Sequence, residues 1–561
     1  MFFKKIIFIF ILYSLYQTPA NSKSTLLNNF NSSDLSKYFS GIVAFENKDN
    51  SKALEFFNSS KILLDNHDPY LNRYIYSLVL ENKVSQAINI IKNNKGKKNI
   101  NFFDAQLLLI LDSLKKNDFD KASIYLKRII NLSQSDRFNS AIAETLNQYI
   151  YVFKEKKILD NKKSLGKLSI ISETFQRCYL GDIDTELYFS KLINDTEADY
   201  TRYIYFYLSY LVENNKKEDA KKIIDDLDYI NATLLLSQGK SWIEKKIENK
   251  FIKVFSCKNS NDIVGEFLFL ISNLYSSQDD FKKSNFYLNL SNFLNPKFFF
   301  NLSLVAENQY LNGEYKKAKK TLKNFKKEDN FYYWYRVKKE AQIIAKKRNK
   351  NESLNYITNE FNKIDEPNEK ILFDIANFYK NSKEYEKAIQ YYTEIIENFD
   401  DNSEIKSDLL YRRGGSYERI GEYEKADQDL LLSLNINPDD AYVLNYLAYS
   451  WLERDFQINE AIKMLEKAYS IKNNDPYIID SIGWAYYLID DYFKAEKFLK
   501  RALELMPDDP IVNDHYGDIL WMLDRKIQAR YFWANVLKMD NAEKEMIDSI
   551  NIKMIKGPQN S

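Results

Sequence analysis

Two histidines, two cysteines and a few neighbouring carboxylates are the side chains of this 561-residue chain that could carry chemistry. A Ser–His–acid or Cys–His device needs an imidazole placed to take the nucleophile's proton. Only His67 and His515 could supply it, and neither sits in a context that would activate a nucleophile. His67 precedes Asp68-Pro69 in a turn, and His515 lies inside a repeated unit, where it reads as a groove or packing residue. Cys178 and Cys257 are far apart with no C-x-x-C, so they make neither a disulfide framework nor a zinc site. They read as two partly buried small hydrophobes, with a bond between them left open for an exported protein. Gly414-Gly415 follows Arg413 at a helix position, which is not the strand-to-helix turn of a phosphate loop. Asp439-Asp440 and Asp508-Asp509 stand where carboxylates cap helices. The reading is non-enzymatic, with no catalytic residue, no metal ligands and no cofactor.

Charge points the same way. The chain holds 80 basic against 79 acidic side chains, so nothing marks it as a neutraliser of phosphates, and nucleic acid is not an expected partner. Local runs such as Lys97-Lys98 or Lys346-Lys347-Arg348 read as solvated faces.

The elements that carry these residues show in the spacing of small side chains. Gly (13) and Pro (9) are too scarce for a β-sandwich or barrel of this length, and the chain is too long for one compact core. From Gly483, a small residue follows twelve later (Ala495), a large apolar one sixteen later (Leu499), a small one nineteen later (Ala502) and Pro twenty-four later (Pro507). The small residue of that frame recurs at Ala53, Ala87, Ala122, Ala220, Ser284, Ala318, Ala388, Ala426, Ala461, Ala495 and Ala529. Successive gaps are 34, 35, 98, 64, 34, 70, 38, 35, 34 and 34 residues. The long gaps are near two, two and three periods, which predicts a continuous array of about fifteen units, with weak copies around residues 130–200, 250 and 354. Each unit is expected to be two antiparallel helices whose backbones come closest at the small residues. Asp68-Pro69, Asp475-Pro476 and Asp509-Pro510 each predict Asp as N-cap and Pro as first helical residue.

This frame resembles the tetratricopeptide pattern W-x2-L-G-x2-Y, A-x3-F, A, P, with Ile479 and Ile482 in place of Trp and Leu. Leu444-Asn445-Tyr446-Leu447-Ala448-Tyr449, Asp480-Ser481-Ile482-Gly483-Trp484-Ala485 and Asn513-Asp514-His515-Tyr516-Gly517-Asp518 resemble more narrowly a family of exported proteobacterial, especially alphaproteobacterial, tetratricopeptide proteins. The likeness covers about residues 400–540. It implies an all-α fold, a right-handed superhelix of helical hairpins, placed in the cell envelope and carrying no established reaction.

In such repeats the first helix of each unit lines a concave groove. The inward positions of the last units are then Asn445, Asp480 and Asp514; Tyr449, Trp484 and Asp518; Tyr442 and Tyr477; and Tyr487 and Trp521, with Tyr411 and Arg419 from the unit before. Amides and carboxylates flanked by aromatics can hold an extended peptide, and the expectation is a segment of another envelope protein carrying basic residues. The alternative is packing: Trp484 and Tyr487 against the next unit, Asp480 and Asp514 on neighbouring backbone.

The first residues form an address. Lys4-Lys5, the apolar run Ile6 to Tyr16 and the small residues to Ser22 are expected to form a signal peptide cut after Ala20 or Ser22, since a span needs ~20 apolar residues. The expected organisation is residues 1–22 signal, 23–260 degenerate repeats, 261–540 the C-terminal array, and 541–561 a partly disordered tail from Gly557 on. An exported or periplasmic adaptor binding other proteins is the leading reading. An anchored scaffold keeping its N-terminal helix, or an enzyme with a cryptic site, are the others.

Overall fold

The computed structural model describes residues 32–65, 67–94, 100–134, 136–160, 163–194, 201–225, 227, 230, 233–327 and 330–558. The signal segment 1–22 lies outside them. Among the described residues there are thirty α-helices and no strand. Most of the helices pair as antiparallel hairpins, as the spacing predicts.

The small residues explain the pairing. All ten frame alanines and Ser284 are buried. A Cβ placed on Gly41, Gly414, Gly483 or Gly517 would meet Phe57, Leu430, Leu499 or Trp533 respectively, in each case the large residue sixteen positions later on the second helix. The same residue pair thus sets the crossing of the two helices in widely separated units. Where Ser272 and Ser284 replace Gly and Ala, their hydroxyls lie 2.9 Å apart and Ser272 Oγ donates to Ser284 O. An alanine at an exposed helical glycine stabilises by about 1 kcal/mol. At Gly483 its Cβ would lie 2.8 Å from Leu499 Cγ and 3.1 Å from Leu499 N. Gly483→Ala is therefore expected to destabilise by about 1–3 kcal/mol, the usual overpacking cost. Leu499→Ala in the same chain should relieve the clash. A raised thermal midpoint in the single variant would contradict this crossing.

Caps follow the sequence with one shift. Asp440, Asp475 and Asp509 each accept two backbone N–H bonds from the next helix, and Pro476 and Pro510 open theirs. The helix Asp68–Leu80 instead takes in Asp68, with His67 as N-cap, so the start lies one residue earlier than predicted.

The chain packs as two units, one of residues up to 227 with 232–325, the other of 228–231 with 326 onwards. The first unit holds the main departures from periodicity. The predicted weak copies at 250 and 354 exist as Leu234–Glu244 with Lys250–Val254, and as Asn330–Lys347 with Lys350–Phe361 in the second unit. Around 130–200 one copy exists as Lys167–Leu180 with Thr185–Ile193, but the nineteen-residue helix Arg137–Glu155 stands unpaired before it, ending at Lys156 in the left-handed conformation. Its buried stripe from Ile142 to Phe153 packs against the preceding and following helices, so a long single helix does the work of a pair. The cysteines depart from the favoured reading too. Cys178, near the end of Lys167–Leu180, is bonded to Cys257, and their Cα atoms are 5.8 Å apart. The spacing of 79 residues hides this, because intervening hairpins bring the two ends together.

The second unit is more regular. Six hairpins run from Asn330 to Val536, and the segment past Met539, which carries no repeat, forms the helix Lys544–Lys556. Ile550 of that helix is buried. Gly557, at φ 80°, lies flat against the Trp521 indole, where a Cβ could not fit. Residues 559–561 lie outside the described set.

Candidate functional site

The inner row of the C-terminal repeats is set by three successive first helices, Ala441–Leu452, Pro476–Leu488 and Pro510–Met522. Each starts on an Asp cap, so residues thirty-four or thirty-five apart share one register.

The outermost column is open. Tyr442 and Tyr477 are 46% and 61% exposed, and Ile511, in the same register, is 46% exposed. Lys472 lies over the Tyr442 ring at 4.1 Å, and Tyr442 Oη donates to Asp475 Oδ2 at 3.3 Å. Ile511 escaped the sequence reading, which looked for polar and aromatic types; its register alone could have found it. Arg419 is also exposed, beside Glu418 at 3.4 Å.

One turn further in, the polar residues are drawn into the protein. Asp480 is buried, with Oδ2 2.9 Å from Nδ1 of His515 on the next repeat. The His515 ring stacks on Trp484 at 4.1 Å, and Trp484 stacks on Tyr487 at 4.6 Å. Asp514 and Asp518 are buried and share the Lys553 ammonium, at 2.7 Å each, which comes from the C-terminal helix. Trp533 Nε1 donates to Asp518 Oδ1 at 3.1 Å. Trp521 packs on Trp533, with Arg530 over its face at 5.1 Å. Tyr411 meets Tyr446 edge-on at 5.7 Å. Tyr449 is half-buried; burial, with Glu453 and Asp480 nearby, raises its pKa. Two acceptors are left over: the buried Asn445 Oδ1 and Asp480 Oδ1 have no donor.

The row therefore divides. Tyr442, Tyr477 and Arg419 face outward; Asn445, Tyr449, Trp484 and Tyr487 line the half-buried middle; Asp480, Asp514 and Asp518 are engaged within the fold. The carboxylates that would call for a basic partner are instead engaged by His515 and Lys553. Lys553 could not have been foreseen, because it stands beyond the last repeat.

This cluster titrates in an unusual direction. Burial pulls the His515 pKa down, but Asp480, Asp514 and Asp518 outweigh it and raise it above 6.5. Burial and the neighbouring Asp514 push Asp518 up to about 6, against the pull of Lys553. Both groups bind their proton more tightly folded than unfolded, so the stability they contribute is full only below their ordinary values, 6.5 for His515 and 3.8 for Asp518. It is lost as pH rises, through about 6 for Asp518 and above 6.5 for His515. The thermal midpoint of the native chain should exceed that of His515→Asn by more near pH 6 than near pH 9. A gap independent of pH would remove the imidazole from this account.

The hairpins, the small-residue crossings and the capped first helices together define a tetratricopeptide-repeat α-solenoid. The tetratricopeptide repeat description matches residues 369–402 and 407–440, the second and third hairpins of the second unit. A tetratricopeptide repeat-containing protein of Pseudomonas aeruginosa is 31% identical over 122 residues, which is 22% of this chain and 20% of that one. The chain thus spans about a fifth of the length of the curated relative it matches. Among solved structures, MamA of Desulfovibrio magneticus RS-1 matches at 19% identity, covering 31% of this chain and 97% of its own, with a TM-score of 0.27. PilF of Pseudomonas aeruginosa matches at 17%, covering 34% and 83%, TM-score 0.29. A thermophilic tetratricopeptide protein of Thermus thermophilus matches at 16%, covering 34% and 100%, TM-score 0.30.

Proposed function

We propose that the protein is a non-enzymatic scaffold of the bacterial cell envelope, whose C-terminal repeats hold a segment of a partner protein along their inner row. The observation that carries this reading is the open column Tyr442, Tyr477 and Ile511 at repeat spacing. Exposed side chains at repeat spacing supply contact area at small entropic cost. Export is supported by the bonded Cys178 and Cys257, since such bonds persist in oxidising compartments. Among the described residues no helix is long and apolar enough to cross a membrane.

The test uses the exposed positions, because substituting Asp514 or Asp518 would strand Lys553 and disturb the fold. Tyr442→Ala with Tyr477→Ala is expected to abolish in-cell crosslinking to a partner that the native chain captures. Phe493→Ala with Tyr531→Ala, exposed on second helices, should leave it intact. Equal capture by both double variants would end the reading. N-terminal sequencing of the same purified chain separates a periplasmic protein starting at Asn21 or Lys23 from an anchored one that retains Met1.

A further inference from the structure

The first unit holds a second candidate surface, built where the turns of its first two hairpins meet helices more than two hundred residues later. The turns around Lys48 and Asn82 face Phe281–Leu294, Asn301–Leu311 and Tyr315–Leu322 across a cleft of about 620 Å³. That is within the ~300–1,000 Å³ of ligand-sized clefts. Its walls are fixed before any ligand arrives. Asn289 Nδ2 donates to Val79 O at 2.8 Å, capping the end of Asp68–Leu80, and Tyr76 stacks on Phe286 at 4.6 Å. Lys48 Nζ donates to Asn312 Oδ1 at 2.6 Å, and Lys317 Nζ to Lys48 O at 3.1 Å.

The lining has a distinct chemistry. Four lysines, Lys48, Lys282, Lys317 and Lys320, stand against two glutamates. Both glutamates are already engaged: Glu81 accepts from Asn50 Nδ2 at 3.0 Å, and Glu314 pairs with Lys317 at 3.2 Å. Lys282 reaches Glu46 at the rim at 3.3 Å. Primary amides fill much of the remainder, among them Asn82, Asn285, Asn292, Gln309 and Asn324. A primary amide both donates and accepts, as a peptide bond does. Asn50 is 8% exposed, its Nδ2 is used on Ser77 O and Glu81, and its buried Oδ1 has no donor.

We propose that this cleft binds an extended acidic peptide segment of a partner protein. Its carboxylates meet the lysines and its backbone meets the amides. A single-stranded nucleic acid fits less well. Phe45 and Phe281 are the aromatic lining residues, and the Phe45 ring is covered by Lys282 at 4.2 Å, which leaves Phe281 where successive bases would need a row of rings. This cleft is independent of the C-terminal row and stands or falls without it.

Fluorescence polarisation on the full mature chain tests it. The probe is a fluorescein-labelled peptide of alternating glutamate and alanine, compared with the same peptide carrying glutamine. The acidic peptide is expected to bind roughly tenfold tighter, with an advantage that shrinks in high salt. Lys282→Glu with Lys320→Glu should remove that advantage while the chain stays folded, its thermal midpoint lowered only by the loss of the exposed Lys282–Glu46 pair. Lys463→Glu with Lys497→Glu in the second unit should keep it. Equal binding of the two peptides, or an advantage that survives Lys282→Glu with Lys320→Glu, overturns the proposal. So does displacement of the acidic peptide by a single-stranded oligonucleotide at lower concentration than by unlabelled peptide.

Discussion

Replacing Cys178 and Cys257 together by alanine, or reducing the native chain, is expected to destabilise the middle of the first unit by about 4 kcal/mol. The bond spans 79 residues, and closing a loop of that length removes a correspondingly large chain entropy from the unfolded state. It ties the end of Lys167–Leu180 to the turn between Lys250–Val254 and Ser260–Ser276, so the hairpins between are held at both ends. A repeat array unfolds in parts, because most contacts of each hairpin are with its sequence neighbours. The loss should therefore show as faster amide exchange in Thr201–Val254, with the second unit little changed. If the cysteines were only small buried hydrophobes, the double alanine variant would lose about 1 kcal/mol per site, and reductant would do nothing to the native chain. Two titratable thiols in the native protein, or identical exchange with and without reductant, would rule the tether out.

The contrast between that bond and the repeats shows what spacing can and cannot carry. The crossing residues are local: Gly483 and Leu499 are sixteen apart, within one hairpin, so the same demand for a small residue opposite a large one is rewritten in unit after unit. Periodicity reads such demands directly. The caps Asp440, Asp475 and Asp509 are legible for the same reason, since the donors they satisfy lie two and three residues on. What joins distant residues leaves no period. Cys178 with Cys257, Lys48 with Asn312 and Lys553 with Asp514 are paired by the path of the whole array. The inner row was legible as a register, since Tyr442, Tyr477, Asp480 and Asp514 fall on equivalent positions. Its division into an exposed column and a buried acidic one was not, because the burying groups, His515 and Lys553, come from the next repeat and from beyond the last.

Arg202→Met is the other substitution with a large expected cost, about 3–5 kcal/mol. Arg202 Nε and Nη2 donate to the two oxygens of Glu266 at 2.8 and 2.7 Å, and the Glu266 side chain is 1% exposed. Four phenylalanine rings surround the guanidinium, Phe269 at 3.7 Å and Phe300, Phe298 and Phe206 at 4.9, 5.1 and 5.4 Å. A planar, weakly hydrated cation suits such a cage, while the fork matches the carboxylate. Burial already holds the Glu266 pKa above its ordinary value, and Arg202 is the group pulling it back. With methionine at 202 that pull is gone, so the carboxylate faces desolvation alone and its pKa climbs further. The penalty is then largest at high pH and fades as pH falls through the raised pKa and Glu266 takes up a proton. Pairing Arg202→Met with Glu266→Leu should recover most of the loss, because two apolar groups in a phenylalanine cage leave no charge stranded. Urea midpoints of the four chains across pH decide the matter. A single variant as stable as the native chain at high pH, or a double variant no better than the single one, would show that the pair does not hold Thr201–Glu213 to Ser260–Ser276.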